Sequence, residues 1–374
     1  MKTPTPKIKI GFMGLRPSRF GIRGFAVPNE ADELVPIPGI EFTALADINA
    51  ESGQAAKELF GFKRAYTDYR EMLKNEDLDA VVITLPTSLH KQATLDCLAA
   101  NVHVLCDKPP ANDYEEMLEI AAAVERSDKQ YMFIRQSRFS AVAQATRQRI
   151  QSGELGDVYA GETKWIRTRG AQVRGDTWRT NKSKGGGVLI DLGIHGLDLL
   201  WYCMGNPVPV EVSASETPAF KQFAPDPEQY TADDNFFFWI RFENDAIIQG
   251  SFAFGMNQVG PKGWKKPELD YSDEWQVNQI CGTQGGIDIV GGKLITGSST
   301  DFELSQLPVD PALEGINPMI TQAKHFVECI QQNKKPQNSI EQAVQLMKML
   351  SALSKSAEMK RTIRLDELLT STEN

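Results

Sequence analysis

KIKIGFMG, residues 7–14, is a short apolar run that ends at a glycine. A strand that leads through a tight glycine turn into a helix is typical of dinucleotide-binding sheets, because the turn lets the backbone approach a pyrophosphate. The turn continues as GLRPSRFG over residues 14–21, with Arg16 where the usual second glycine would be. It therefore fits either a phosphate site or a plain strand-to-helix turn. The candidate cofactor contacts in this turn are Gly14, Leu15, Arg16, Ser18 and Arg19.

The rest of residues 1–135 alternates short apolar runs with segments of helical periodicity. Continuous apolar strands separated by helices predict a doubly wound α/β fold, with a parallel sheet covered on both faces. The predicted strands are Lys7–Met13, Glu41–Ala46, Ala80–Thr84, His103–Cys106 and Tyr131–Ile134, and the predicted helices are Ala50–Leu59, Asp68–Leu73, Leu89–Ala100 and Asp113–Arg126. Asp113 is the predicted N-cap of the last helix, with Glu116 three residues on.

After residue 135 the strands become longer and few helices separate them, which predicts a mostly antiparallel sheet in an α+β domain. We expect a Rossmann domain over 1–135, and a substrate-binding and oligomerisation domain over 136–374. The predicted strands of the second domain are Val158–Ile166, Val208–Ser215, Phe236–Phe242, Ala246–Phe254 and Gln276–Cys281, and the closing helices are Ile316–Gln332 and Ser339–Met359.

Composition narrows the class of protein. A net charge of −9 disfavours nucleic-acid and anionic-membrane partners, which would repel the chain at long range. Five widely spaced cysteines without a Cys-x-x-Cys pair favour reduced thiols in the cytoplasm over disulfides or a thiolate metal site. There is neither a secretory leader pattern at the N-terminus nor an apolar run long enough to span a membrane.

Asp47 ends the second predicted strand. A carboxylate there can accept hydrogen bonds from both ribose hydroxyls of adenosine and would repel a 2′-phosphate, so NAD is favoured over NADP. The spacing from Gly14 exceeds the usual value, and the Pro- and Gly-containing segment Ala26–Ile40 has the character of an insertion that explains it. The alternative is that Asp47 caps the helix that follows, and the arginines of the glycine turn keep NADP as a second option.

Two further motifs carry side chains suited to alcohol chemistry. Lys108 follows the strand His103–Cys106, at the sheet edge where ligands bind, and its ammonium can stabilise a developing alkoxide; the alternative is a solvated lysine in a proline-rich turn. Downstream, a glycine run at 185–187 precedes Asp191, His195 and Asp198, which share one face of a predicted helix. A carboxylate one turn from an imidazole suits a general base, whereas the alternative is a capping aspartate with a structural histidine. One histidine with two carboxylates and no HExxH pattern does not predict a metal site.

Over nearly its whole length the chain resembles the family of glucose–fructose oxidoreductase and inositol 2-dehydrogenase (Gfo/Idh/MocA). The motifs that carry the likeness are the opening strand and turn, LPTSLH at 85–90, HVLCDKP at 103–109, RFS at 138–140, GELG at 153–156, the D-x-G-x-H-x-x-D segment at 191–198 and HFVECI at 325–330.

The resemblance implies that Lys108, Asp191 and His195 are the catalytic lysine, aspartate and histidine. It also implies that Pro86, Thr87 and His90 lie along the cofactor, together with Asp107 and Lys108. Asp107 departs from the family's usual glutamate but keeps the carboxylate. The family's architecture is a Rossmann domain followed by an open-faced antiparallel sheet, in homodimers or homotetramers.

A basic cluster lies between the second domain's first strand and the glycine run, with two tryptophans, Trp165 before it and Trp178 within it. Its cations are Arg167, Arg169, Arg174, Arg179, Lys182 and Lys184. It is either a solvated loop face or a site for an anionic substrate such as a sugar acid or nucleotide sugar. The candidate substrate-binding residues are Trp165, Arg169 and Trp178, with Lys108, Asp191 and His195.

The sequence thus predicts an NAD-dependent dehydrogenase that acts on a hydroxyl of a sugar, polyol or sugar derivative. His195 would take the hydroxyl proton, Asp191 would hold the imidazole, and Lys108 would position the oxygen. Two alternatives stay open. One is a glycoside-cleaving or epimerising enzyme that uses a transient hydride step, and the other is a catalytically silent dinucleotide or sugar sensor.

Overall fold

The structure is a computed structural model, and it describes residues 6–15, 20–167, 179–257, 274–297 and 301–368. The chain divides into two compact units. The first comprises Met1–Phe139 and Gly315–Met347, and the second comprises Ser140–Glu314 and Lys348–Asn374. Sequence periodicity assigned Gly315–Met347 to the second domain, but its helix packs into the core of the first unit, where Ala323, Phe326 and Val327 are buried.

The first unit contains a six-stranded parallel sheet in the order β5-β4-β1-β6-β7-β8, with helices between the strands. This confirms the predicted doubly wound fold. Its strands are β1 (Ile8–Met13), β4 (Ile40–Ala46), β5 (Arg64–Tyr66), β6 (Ala80–Ile83), β7 (His103–Cys106) and β8 (Tyr131–Phe133). Its helices are α1 (Phe20–Phe25), α2 (Ala50–Phe60), α3 (Tyr69–Asn75), α4 (His90–Ala99), α5 (Tyr114–Glu125) and, near the chain's end, α8 (Pro318–Gln332).

The core of this unit is built around Phe12 at the centre of β1. Its ring makes edge-to-face contacts with Phe25, Phe42 and Phe62 at centroid distances of 5.5 to 5.7 Å. Such pairs add stabilisation beyond the burial of their apolar area. They link β1 to α1, to β4 and to the residues that follow α2. The predicted cap is also confirmed, since the Asp113 carboxylate accepts from the Glu116 backbone N–H at 2.8 Å.

The segment Ala26–Ile40, predicted to be an insertion, forms a small antiparallel hairpin of β2 (Ala26–Pro28) and β3 (Leu34–Pro36). Asn29 closes the hairpin, because its side-chain oxygen accepts from the backbone N–H groups of Ala31 and Glu33. The hairpin thus adds length between β1 and β4 without entering the parallel sheet.

The second unit contains a nine-stranded sheet in the order β16-β15-β14-β13-β9-β12-β11-β10-β17. All neighbouring strands run antiparallel except β9 and β12, which confirms the predicted mostly antiparallel sheet. Its strands are β9 (Val158–Ile166), β10 (Pro209–Thr217), β11 (Asn235–Phe242), β12 (Ile247–Ala253), β13 (Trp275–Gly282), β14 (Gly285–Asp288), β15 (Lys293–Gly297), β16 (Phe302–Gln306) and β17 (Ile363–Arg364). Helices α6 (Ala141–Gln151) and α7 (Ile194–Cys203) belong to this unit, and α9 spans Ile340–Met359. None of the helices within the described residues has the length and apolar character needed to cross a membrane.

Candidate active site

The glycine turn after β1 packs against the end of β6. Gly14 has φ 81°, and a Cβ on it would lie 2.9 Å from the Thr84 carbonyl oxygen. The Thr84 hydroxyl donates to the Gly14 carbonyl at 2.6 Å. Only glycine fits this conformation and this approach, so the residue is needed for the turn itself. Arg16, Ser18 and Arg19, the other predicted contacts of this turn, lie outside the described residues.

Asp47 ties the second strand of the predicted cofactor site to that turn. Its carboxylate accepts from the backbone N–H of Leu15 at 2.7 Å and from that of Asn49 at 2.8 Å. The alternative that Asp47 caps α2 is wrong, because Asn49 is the N-cap and its side chain accepts from the Ser52 N–H. Asp47 therefore stands at the carboxyl end of β4, next to the glycine turn, where a ribose-binding acid is expected.

The loop after β6 joins the loop after β7 through His90. Pro86 is exposed and Thr87 half-buried in this loop, whereas His90 is fully buried. The His90 ring nitrogens lie 2.8 Å from the carbonyl oxygens of Leu85 and Pro109. The structure thus gives His90 a role in holding two loops together, while direct contact with a cofactor stays a prediction.

Lys108 lies where the sequence predicts it, directly after β7 at the carboxyl edge of the sheet. It is half-buried, and its backbone N–H donates to the Asp107 carboxylate at 2.7 Å. Asp107 is only 2% exposed, so the residue predicted to contact the cofactor is enclosed and supports the start of the Lys108 loop. The Lys108–Pro109 peptide bond is cis.

In the second unit, Asp191 and His195 lie on consecutive helical segments of different type. Asp191 is in a π-helical turn, Leu189–Gly193, and His195 is in the first turn of α7. The sequence predicts one regular helix here, and the π turn changes the angular relation of the two side chains from that of an i, i+4 pair. Such turns are common at functional sites. The Asp191 carboxylate accepts from Arg179 Nε at 2.8 Å, and Asp198 is fully buried.

Two glycines bring α7 close to the sheet on either side of His195. A Cβ on Gly193 would lie 2.7 Å from the Phe252 ring on β12, and one on Gly196 would overlap the Thr163 hydroxyl on β9. The helix backbone consequently packs directly on the strands. Trp165, two residues from Thr163 on the same strand, contacts the imidazole of His195 with ring centroids 5.6 Å apart and planes tilted by 59°.

The glycine run serves a turn and a close approach to a carboxylate. Gly185 has φ 76° and ends a short helical turn, while Gly187 has φ 126° and a Cβ on it would overlap the Asp233 carboxylate. Asp233 accepts from the backbone N–H groups of Val188 and Leu189 at 2.8 and 3.1 Å. A turn and the contact with Asp233 therefore account for Gly185 and Gly187 within the protein.

Most described cations of the basic cluster make ion pairs. Arg167 pairs with Glu274 at 2.8 Å and Lys182 with Glu216 at 3.6 Å, besides the pair of Arg179 with Asp191. The Asp233 carboxylate, which binds the backbone after the glycine run, is not one of these partners, and its burial raises its pKa to about 6. Arg169 and Trp178, predicted to bind substrate, lie outside the described residues.

Sequence reasoning missed three residues that contact the candidate site. Arg179 belongs to the basic cluster, but nothing in the pattern distinguishes it from its neighbours. Asp233 is the first of two acids before a strongly apolar strand, a signal for a turn rather than for a helix cap. Glu274 carries no local signal, because its contacts with Trp165 and Arg167 come from strand pairing more than 100 residues apart.

Comparison with known proteins gives the family. Residues 9–134 match the model of an oxidoreductase family's NAD-binding Rossmann fold, and residues 147–365 match the same family's C-terminal alpha/beta domain. The chain belongs to the Gfo/Idh/MocA oxidoreductase family. This confirms the resemblance read from its motifs.

Two curated relatives of this family member share about a third of the aligned residues. The D-glucoside 3-dehydrogenase of Escherichia coli (strain K12) is 32% identical over 226 residues, which is 58% of this chain and 64% of that protein. The dTDP-3,4-didehydro-2,6-dideoxy-alpha-D-glucose 3-reductase of Streptomyces violaceoruber is 32% identical over 206 residues, or 52% of this chain and 57% of that one. The chain thus spans less than two thirds of the length of either relative.

Among solved structures, the aldose-aldose oxidoreductase of Caulobacter crescentus, complexed with glycerol, has the same fold. The TM-score is 0.76 at 23% identity, with 96% of this chain and 99% of that chain covered.

Proposed function

We propose that this Gfo/Idh/MocA protein is an NAD-dependent dehydrogenase that oxidises, or in reverse forms, a secondary hydroxyl of a neutral sugar or glycoside, with the 3-hydroxyl of a glucoside as the first candidate. The observation that carries the proposal is His195, held on the sheet between two close-packed glycines with an indole against its imidazole. An imidazole fixed in this way suits a general base better than a solvated histidine does.

In this proposal each side chain has one task. His195 takes the proton of the reacting hydroxyl, Asp191 on the preceding π turn orients the imidazole, and the Lys108 ammonium stabilises the oxygen as negative charge develops. The dinucleotide, when bound, supplies the hydride acceptor.

NAD is the proposed cofactor in preference to NADP. The Rossmann region matches an NAD-binding family model, which supports a dinucleotide site. Asp47, at the carboxyl end of β4, would accept from the ribose hydroxyls and repel a 2′-phosphate. Gly14, Leu15 and Asp47 would hold the dinucleotide, with Pro86 and Thr87 along it.

The charge of the substrate is proposed from the ion pairs of the site, and the position of its hydroxyl is proposed from the relatives. Arg167, Arg179 and Lys182 are neutralised by carboxylates of the same unit, which favours a neutral substrate over an anionic one. Both curated relatives are named for chemistry at the 3-position of a hexose derivative, which supports the position of the hydroxyl but not its charge class, because the dTDP group in one of the two names is anionic. Trp165 offers an apolar surface for the sugar ring.

The test is an absorbance assay for NADH with NAD or NADP over a panel of glucosides, polyols and sugar acids. Lys108→Ala and His195→Ala are each expected to lower kcat by about 10²- to 10⁴-fold, while NAD binding by calorimetry changes little. Lys63→Ala removes an exposed lysine paired with Glu41 and serves as the control. Near-normal turnover in either active-site variant would contradict the proposal.

The same assay separates the two alternatives. Product without net NADH would indicate a cleaving or epimerising enzyme that returns its hydride. Tight NAD binding without turnover on any panel member would indicate a sensor.

We further propose a cytoplasmic location and a homodimer or homotetramer. No disulfide joins the five cysteines, all of which lie within the described residues, and this supports a reducing compartment. The subunit count is measured by light scattering, and a monomer at micromolar concentration would contradict the second proposal.

A further inference from the structure

We propose that Glu274 is a positioning residue for His195 that acts through the indole N–H of Trp165. The inference rests on the proposed function, in which His195 is the base. It assigns a role in the reaction to a residue that is not itself expected to touch substrate.

Both oxygens of the Glu274 carboxylate bind residues at the end of β9. The Trp165 indole N–H donates to Oε1 at 2.6 Å, and Arg167 Nε donates to Oε2 at 2.8 Å. The Arg167 and Glu274 side chains are 20% and 25% exposed, so this ion pair is mostly shielded from water. A charge-assisted bond to the indole nitrogen fixes the ring orientation that Cβ alone would leave free.

Strand pairing places Glu274 for this role. Trp165 lies opposite Gln276 in the antiparallel pair of β9 and β13, and Ile166 lies opposite Trp275. Glu274 directly precedes β13, so its side chain reaches the last residues of β9 without a loop between them. The carboxylate is therefore held by a sheet, and the geometry it imposes on Trp165 is rigid.

The fixed indole limits where His195 can go. Its ring centroid is 5.6 Å from that of the imidazole, and the helix behind the imidazole is already in contact with the strands at Gly193 and Gly196. An aromatic ring at this distance also attracts the imidazole once it has gained a proton. Releasing the indole would thus let the base rotate and would remove part of the support for its cationic form.

The chain offers a matched control in the same sheet. Glu211 accepts from Arg241 Nε at 2.9 Å, with 22% of its side chain exposed, and neither residue contacts an indole linked to His195. Glu211→Ala therefore removes a carboxylate–arginine pair of similar geometry and exposure. It does so without touching the proposed path.

The experiment compares Glu274→Ala, Glu274→Gln, Trp165→Phe, the double variant Trp165→Phe with Glu274→Ala, and the control. Glu274→Ala is expected to lower kcat by about 5- to 20-fold with the KM for NAD unchanged, because misplacement of a base slows the chemical step. Glu274→Gln keeps an acceptor for the indole N–H and is expected to restore most of the activity. The double variant is expected to be no slower than Trp165→Phe, since Phe has no N–H for Glu274 to hold.

A readout independent of turnover is the NMR signal of the His195 imidazole in the protein without substrate, identified among the four histidines by its loss in His195→Ala. Glu274→Ala should move this signal, and Glu211→Ala should not. If wild type oxidises nothing on the panel, the proposed function fails, but the signal still tests the contact.

Three results would overturn the inference. They are Glu274→Ala within twofold of wild type, a double variant slower by the product of the two single effects, or an unmoved His195 signal. A Glu274→Gln variant that is as slow as Glu274→Ala, when both melt like wild type, would also overturn the inference. It would show that the lost ion pair with Arg167, and not the lost contact with the indole, slows the reaction.

Discussion

Asp233 closes the turn that leads into the helix carrying His195. Its carboxylate accepts from the backbone N–H groups of Val188 and Leu189, two of the donors that the start of a helical segment leaves without an intrahelical partner. Gly187 leaves room for this carboxylate, because any Cβ there would overlap it. The start of the segment that carries Asp191 is therefore fixed by an acid 44 residues further along the chain.

Asp233→Asn is expected to change the pH dependence of stability. Burial raises the pKa of Asp233 from 3.8 to about 6, so the folded state keeps its proton to a higher pH than the unfolded state does. This group's contribution to stability is full below about pH 4 and is lost as the pH rises through 6. The asparagine does not titrate, so from pH 4 to pH 7.5 the free energy of unfolding should shift in its favour by up to about 3 kcal/mol, at roughly 1.4 kcal/mol per pKa unit.

The measurement is urea unfolding of both proteins at several pH values. The negative charge of Glu216, which pairs with Lys182, also raises the Asp233 pKa. Both proteins keep Glu216 and are measured in the same buffers, so its effect is present in both. Asp226→Asn, at an exposed cap whose carboxylate accepts from the Glu228 backbone N–H, is the control because it makes the same substitution at an exposed position. A constant difference between wild type and Asp233→Asn across this range would contradict the prediction.

At the scale of elements, the contact of α7 with the sheet depends on two glycines, one at its N-cap and one in its first turn. Gly193 and Gly196 lie against Phe252 and Thr163, and the Thr163 hydroxyl is held in turn by Asn278 at 2.8 Å. Thr163 is buried and cannot swing away without breaking that bond. Glycine weakens a helix by about 1 kcal/mol relative to alanine. At these two positions that loss is accompanied by a closer approach of the helix backbone to the sheet.

Gly196→Ala is expected to lower the free energy of unfolding by about 1 to 3 kcal/mol, because the added methyl overlaps the fixed Thr163 hydroxyl. It should also lower kcat, since α7 would have to move away from Trp165. Gly53→Ala in α2 is the control: its Cβ would meet Leu45 at an ordinary 3.6 Å, so helix propensity should dominate and stability should rise. Thermal melting and NADH formation check both variants, and a neutral Gly196→Ala would show that the helix can shift freely.

The elements themselves were largely predictable from local pattern. Apolar runs such as that of β6 and periodic segments such as that of α5 satisfy rules that depend only on near neighbours, and Lys108 follows from the position of its strand. The π turn at Asp191, the Arg179 pair and the Glu274 link were not predictable, because each depends on residues brought together by tertiary packing. His90 shows the same limit: its motif predicts a cofactor contact, while its two carbonyl partners lie 5 and 19 residues away.

Over the molecule as a whole, charge is unevenly distributed. The net charge of −9 coexists with a basic segment before the glycine run, and the described cations Arg167, Arg179 and Lys182 are paired within their own unit. At long range an anionic substrate therefore meets a repulsive field. At short range it would compete with Glu274, Asp191 and Glu216 for those same cations.

The salt dependence of kcat/KM should therefore separate a neutral from an anionic substrate. With a methyl glucoside, kcat/KM is expected to change less than about twofold between about 20 mM and 500 mM NaCl, because an uncharged ligand feels no screened field. The glucuronide of the same ring is the matched comparison, since it differs only at the carboxylate. It should react at least tenfold more slowly at low salt and gain on the glucoside as repulsion from the net −9 charge is screened. A glucuronide that reacts faster than the glucoside and loses that advantage as salt rises would instead show that cations outside these three pairs bind the substrate.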